Sequence, residues 1–186
     1  MSKIIITGRP GVGKTTIFMH VIDIVKRKGY SVGGIVCPEV REGGFRVGFL
    51  IIDLMTGRKD WLAHKRLFRS GPRIGRYVVN VEGAGELGAN AIGKAISEAD
   101  LIAIDEIGPM ELLIPKLKKA IIDALKSNKP LLSVIHWRMR DSQILSLTRN
   151  AMKYYITEAS RNTLKSDIEK RVLEVLENWK RHVKGN

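Results

Sequence analysis

Cysteine is almost missing: Cys37 is the single one in 186 residues. An internal disulfide is excluded, and so is any multi-cysteine metal cluster. The four histidines, His20, His64, His136 and His182, stand too far apart to form a local metal motif. Long hydrophobic runs are absent as well. The longest apolar strings, such as Phe49 to Ile52, are strand-sized, well short of the ~18 residues of a membrane span. Ahead of Gly8 stand only Ile4, Ile5 and Ile6, too few for a signal-peptide core. These gaps predict a soluble chain in a reducing compartment, the cytoplasm, with no membrane partner. Aromatic residues make up only 6%, without the aromatic-basic interleaving of RNA-binding sheets. Acidic residues are also in deficit, 19 against 32 basic ones, for a net charge of +13.

What is present is a globular composition, 44% hydrophobic and 27% charged. The length predicts one domain over residues 1–186, large enough to bury a core without staples. The positive excess should attract polyanions. It is concentrated between residues 58 and 76, where Arg58, Lys59, Lys65, Arg66, Arg69, Arg73 and Arg76 face one acid, Asp60. That stretch reads either as a solvated loop or as a rim facing phosphate or nucleic acid, and charge alone does not choose.

Apolar periodicity predicts strands at 3–8, 32–37, 77–81, 101–104, 131–135 and 153–156. Residues 45–54 alternate, Met55 to Arg58 reads as a turn, and 59–63 would return, so a β-hairpin insertion is expected at about 41–66. Helices are expected over 14–28, 86–99 (weak and interrupted by glycine), 111–127 and 164–183. The face of the third would carry Leu113, Leu117, Ala120, Ile121, Ala124 and Leu125. Strands alternate with helices, and the core strands are continuous apolar runs. That pattern predicts a three-layer α/β fold: a central, mostly parallel sheet, helices on both faces, and an appended antiparallel hairpin.

Gly8-Arg9-Pro10-Gly11-Val12-Gly13-Lys14-Thr15 matches G-x-x-x-x-G-K-[ST] at every fixed position, between a buried strand and an amphipathic helix. The glycines let the backbone wrap a phosphate, and the N–H groups at the helix start form an anion nest. Lys14 would reach the β- and γ-phosphates, and the Thr15 hydroxyl would ligate Mg²⁺. Thr16 completes the nucleotide-binding segment. The second half of such a site is an acid ending a neighbouring apolar strand. Leu101-Ile102-Ala103-Ile104-Asp105-Glu106 supplies it. Asp105 suits the metal, and Glu106 is placed to polarise the attacking water. The strand at 131–135 ends on His136, either a γ-phosphate contact or a surface histidine. Arg9, Arg41, Arg46, Arg138 and Arg161 are candidate phosphate-sensing or charge-stabilising arginines that sequence does not rank.

These motifs, with Pro38 to Phe49, Gly75 to Val79 and Asp105-Glu106-Ile107-Gly108-Pro109-Met110-Glu111-Leu112, resemble the small P-loop nucleoside-triphosphatases of the thermophilic or cancer-related type. The resemblance spans most of the chain. It implies Mg²⁺-dependent hydrolysis of ATP, GTP, CTP and UTP to diphosphate and phosphate, with loose base preference. It also implies that Gly8 to Thr15 and Leu101 to Gly108 flank the nucleotide. The chain departs from the family at Ala159-Ser160-Arg161-Asn162-Thr163, where an Asn-Arg-Asp-like stretch is usual. A nucleotide or nucleoside kinase is the second reading. A nucleic-acid-stimulated ATPase is a third, possible from the charge but not favoured. Oligomeric state is not legible.

Overall fold

The structure is a computed structural model that describes residues 2–184. The element order is β1 (Lys3–Thr7), α1 (Lys14–Arg27), β2 (Val32–Val36), β3 (Glu39–Glu42), β4 (Phe45–Asp53), β5 (Lys59–His64), β6 (Arg73–Ile74), β7 (Tyr77–Val79), α2 (Val81–Glu98), β8 (Leu101–Ile107), α3 (Pro109–Leu112), α4 (Pro115–Lys126), β9 (Leu131–Ile135), α5 (Ser142–Leu147), β10 (Met152–Tyr155) and α6 (Arg161–Lys184). The strands form one sheet in the order β10-β1-β9-β8-β2-β4-β5-β7-β6, with β3 paired to β4. The first five places are parallel; the rest are antiparallel.

The sheet separates two cores. On one side Ile17, Phe18, Val21, Ile22 and Val25 of α1 meet Ile168, Val172 and Leu176 of α6. On the other, Ala91, Ile92 and Ala95 of α2 meet Leu117, Ile121 and Leu125 of α4. β2 and β9 are buried along their whole length, as strands covered on both faces must be. Each fully buried Ile or Leu contributes roughly 1.5–3 kcal/mol. The three-layer expectation is therefore met, antiparallel extension included.

Several element boundaries differ from expectation, each for a local reason. Val81 begins α2 rather than ending a strand, because the Asn80 side chain accepts the Gly83 N–H and caps the helix there. The helix thus starts before Glu86, and its glycines are packing sites. A Cβ at Gly88 would lie 2.7 Å from both Ile51 Cδ1 and Leu117 Cδ1, and one at Gly85 would lie 2.9 Å from Ile114 Cγ2. The helix expected over 111–127 is two helices, because Pro115 restricts Ile114 to an extended conformation. Leu113 falls in the break and is 39% exposed instead of joining the apolar face. The last helix begins at Arg161, earlier than Leu164. The short helix α5 was not anticipated; Asp141 caps it by accepting from Gln143 and Ile144 N–H. The insertion is wider than a hairpin at 41–66: β3 to β7 form an antiparallel arm from Glu39 to Val79.

Strand direction decides which loops share an edge. β4 is antiparallel to β2, and β5 is antiparallel to β4, so β5 runs with the parallel strands. The loop after β5 therefore projects from the edge where β1, β2, β8 and β9 end. The turn between β4 and β5 projects from the opposite one. The basic stretch is split: Arg58 and Lys59 lie at the far edge, whereas Arg66, Arg69, Arg73 and Arg76 are exposed toward the carboxyl edge.

Candidate nucleotide site

At the carboxyl edge β1 passes into α1 through Gly8–Gly13. Gly8 has φ +150, and a Cβ there would strike the Ile156 carbonyl oxygen. Gly13, the N-cap residue, has φ +97 and ψ 21. A side chain at either position would be strained, and glycine is what lets the turn close. The N–H groups at the start of α1 point outward from the sheet edge, where an anion meets the positive end of the helix dipole. Lys14 Nζ donates to the Arg9 carbonyl at 3.1 Å, which folds the ammonium back over the loop.

β8 ends two places from β1, with β9 between them. Asp105 is 2% exposed. Burial pushes its carboxyl up to about 7, and the Glu106 charge adds to the rise, while a hydrogen bond from the Thr15 hydroxyl and the Lys14 ammonium pull it down. Glu106 is raised by burial too, against the opposing charges of Lys14 and His136. The β8–β9 register shifts between Ile104 and Ile107, opening the pairing where the two acids sit. Thus Lys14, Thr15, Asp105, Glu106 and His136 converge.

The His136 N–H donates to the Ile107 carbonyl at 3.0 Å. Its Nδ1 accepts the Arg138 N–H at 3.3 Å, which leaves the neutral ring's proton on Nε2. Gly108 lies at the centre of the cluster. A Cβ there would be 3.1 Å from Glu111 Oε2, 3.3 Å from Glu106 Oε1 and 3.6 Å from His136 Cβ. Glu111 Oε2 accepts the Gly108 N–H at 3.0 Å. Burial pushes the Glu111 carboxyl up to about 8; the Gly108 bond opposes the rise, and Glu106 and Asp105 add to it. Cys37, a free thiol just past β2, is half-buried. Burial raises that thiol well above its ordinary range, as do the Glu111 and Asp105 charges.

The other candidates lie elsewhere. Arg41 and Arg46 are on β3 and β4, each 2.6 Å from Glu39, whose carboxyl is held low chiefly by the Arg41 hydrogen bond. Arg161 opens α6, where its N–H donates to the Thr157 carbonyl. Leu101 to Ile104 are core residues of β8, carrying Asp105 to the edge rather than facing it themselves. Sequence reasoning missed the Glu111–Gly108 contact as a support of the site, although the Gly-Pro-x-Glu spacing is a helix-start signal. It also missed Trp137, whose partner Arg9 is remote in sequence.

A glycine-rich loop opening a helix from one parallel strand, with an acidic pair ending a second strand two places away, defines a three-layer α/β P-loop nucleotide-binding protein. A family profile described as NTPase matches residues 3–169. A nucleoside-triphosphatase THEP1 from Thermofilum pendens is 44% identical over 175 residues, covering 92% of this chain and 96% of the relative. One from Pyrococcus abyssi is 41% identical over 175 residues, covering 94% of each. Among solved structures, THEP1 from Aquifex aeolicus aligns with a TM-score of 0.76 at 34% identity, covering 89% of this chain and 96% of that one. A human cancer-related nucleoside triphosphatase also aligns at 0.76, with 28% identity, covering 92% of this chain and 97% of that one. The chain belongs to the THEP1 nucleoside-triphosphatase family.

Proposed function

We propose that this chain, acting as one domain, hydrolyses nucleoside triphosphates to diphosphate and phosphate, with Mg²⁺ as cofactor and little choice among bases. The observation that carries the reading is the apposition of Thr15 and Lys14 at the start of α1 with Asp105 and Glu106 at the end of β8. Lys14 would leave the Arg9 carbonyl for the β- and γ-phosphate oxygens. The N–H groups of Gly11 to Thr15 would hold the β-phosphate. Glu106 would accept a hydrogen bond from the attacking water and orient it in line. His136 Nε2–H would donate to a γ-phosphate oxygen.

The donor set fits Mg²⁺. Thr15 and Asp105 offer hard oxygens beside the phosphate position, and among the described residues no cluster of three or more His, Cys, Asp or Glu offers a closed cage. Mg²⁺ asks for few protein ligands and completes its shell from water and phosphate. When bound, it would neutralise charge developing on the β- and γ-oxygens. Thr15 and Asp105 would hold it. Because burial pushes the Asp105 carboxyl up to about 7, Mg²⁺ binding there should release a proton near neutrality.

The test is phosphate release from ATP, GTP, CTP and UTP, with Mg²⁺ and with chelator. Rates within about tenfold of one another are expected, since strong selection needs dedicated buried polar partners. Chelation should abolish them. Lys14→Ala should lose ~10²-fold or more in rate. Turnover of that variant within about threefold of wild type would reject the site, and conversion of an added nucleoside monophosphate to its diphosphate with little phosphate release would indicate a kinase instead.

A further inference from the structure

Trp137 follows His136 at the carboxyl end of β9, the strand between β1 and β8. Two guanidinium groups lie against its indole. Arg138 Cζ is 4.2 Å from the ring centroid, and Arg9 Cζ is 5.8 Å from it. Arg9 belongs to the glycine-rich loop, and its carbonyl receives the Lys14 ammonium. On the side of β8, the His136 N–H is tied to the Ile107 carbonyl. The chain from His136 to Met139 is a tight turn: the Arg138 N–H donates to His136 Nδ1 at 3.3 Å, and the Met139 N–H to the His136 carbonyl at 3.0 Å. Trp137 thereby stands on a tied backbone between the two halves of the site, with the Arg138 guanidinium over its ring.

Arg41, Arg46 and the arginines between residues 66 and 76 are committed or distant. Arg41 and Arg46 share the Glu39 carboxylate. Arg66 and Arg69 lie in the loop after β5, Arg73 on β6 and Arg76 in the turn between β6 and β7, all within the antiparallel arm and several strands from the glycine-rich loop. Among the described residues, Arg138 forms no ion pair. A guanidinium stacked on an indole keeps all its N–H donors free at the ring's edge while losing much of its rotational freedom in advance.

We propose that Arg138 is the guanidinium that stabilises the γ-phosphoryl group in transit, and that Trp137 is the positioning residue that holds it over the mouth of the site. The inference rests on the hydrolase reading above. In that reaction the water oxygen forms a bond to phosphorus as the bond from phosphorus to the β–γ bridging oxygen breaks. The electron pair of the broken bond stays on the diphosphate, and the water's proton passes to the Glu106 carboxylate. Charge gathers on the phosphoryl oxygens, where a planar fork of donors acts without moving. Arginines in this role are worth ~10³–10⁵ in rate.

The experiment combines turnover with binding. Arg138→Ala should lower kcat ~10²-fold or more, yet bind ADP within about threefold of wild type. It should lose the tight binding of ADP with aluminium fluoride, a mimic of the transferring phosphoryl group. Trp137→Ala should lose most of the same factor, and Trp137→Phe, which keeps an aromatic face, should recover much of it. The double variant Arg138→Ala/Trp137→Ala should be no slower than Arg138→Ala alone, because a positioning residue has nothing left to position. A merely structural tryptophan would instead give multiplying losses. Arg138→Ala with more than a tenth of wild-type kcat, or with aluminium fluoride binding intact, overturns the proposal while the hydrolase reading stands. A wild-type chain that hydrolyses no triphosphate overturns both.

Discussion

Asp105 and Glu106 are adjacent carboxylates in different surroundings. Asp105 is enclosed and feels the Thr15 hydroxyl and the Lys14 ammonium, whereas Glu106 is half-buried and answers to Lys14 and His136. Their substitutions should therefore separate. Glu106→Gln keeps the size of the side chain but is a far poorer proton acceptor, so kcat should fall ~10²–10⁴-fold with affinity for a slowly hydrolysed ATP analogue nearly native. Asp105→Asn should weaken Mg²⁺ binding along with rate. Titration calorimetry with the analogue, beside steady-state rates, distinguishes them. Glu106→Gln with more than a tenth of wild-type kcat would move the role to another carboxylate, Glu111 first.

Glu111 does its work at the level of an element. It is the third residue of α3, and its carboxylate takes the Gly108 N–H at the start of that helix. The contact holds the backbone that leaves Glu106, and it does so inside the protein. A buried carboxyl held at about 8 binds its proton more tightly folded than unfolded, where the ordinary value is 4.5. Its contribution to stability is therefore full below about 4.5 and is lost as pH rises through about 8. Glu111→Gln does not titrate, so the melting temperature of the variant should gain on wild type across that interval, read as a difference so that other groups cancel. A constant difference would mean that Glu111 is ionised throughout. Much at this scale was legible in sequence. The glycine-rich loop and the acid ending an apolar strand are read from spacing alone, and the sheet brings the two segments to one edge. The start of α2 was not read, because the cap at Asn80 precedes a run of glycines whose low helix propensity hides that they are close-packed against Ile51, Ile114 and Leu117. Trp137 was invisible for another reason. Its contact with Arg9 joins residues that only the strand order brings together.

Across the whole molecule, charge is sorted by the sheet. The exposed Arg66, Arg69, Arg73 and Arg76 share the carboxyl edge with the glycine-rich loop, several strands away from it. At that remove they would act on a triphosphate by steering rather than by contact. Replacing Arg66, Arg69 and Arg73 together with glutamine should raise KM and leave kcat alone. The effect should fade with added salt, since the screening length is ~10 Å at 0.1 M. An unchanged KM at low ionic strength would return the stretch to a solvated loop. A second whole-molecule tie runs between the two helices of one core. α1 begins at the residues that would meet phosphate, and its buried side packs on Ile168, Val172 and Leu176 of α6; His20 Nε2 lies 3.0 Å from Glu169 Oε2 between them. Anything that steadies α1 thus raises the cost of opening α6 locally. Amide hydrogen exchange over residues 168–176 should slow when ADP is added, although those residues lie outside the proposed phosphate site, so the C-terminal helix becomes a deuterium record of whether the loop at the other end of the chain is occupied.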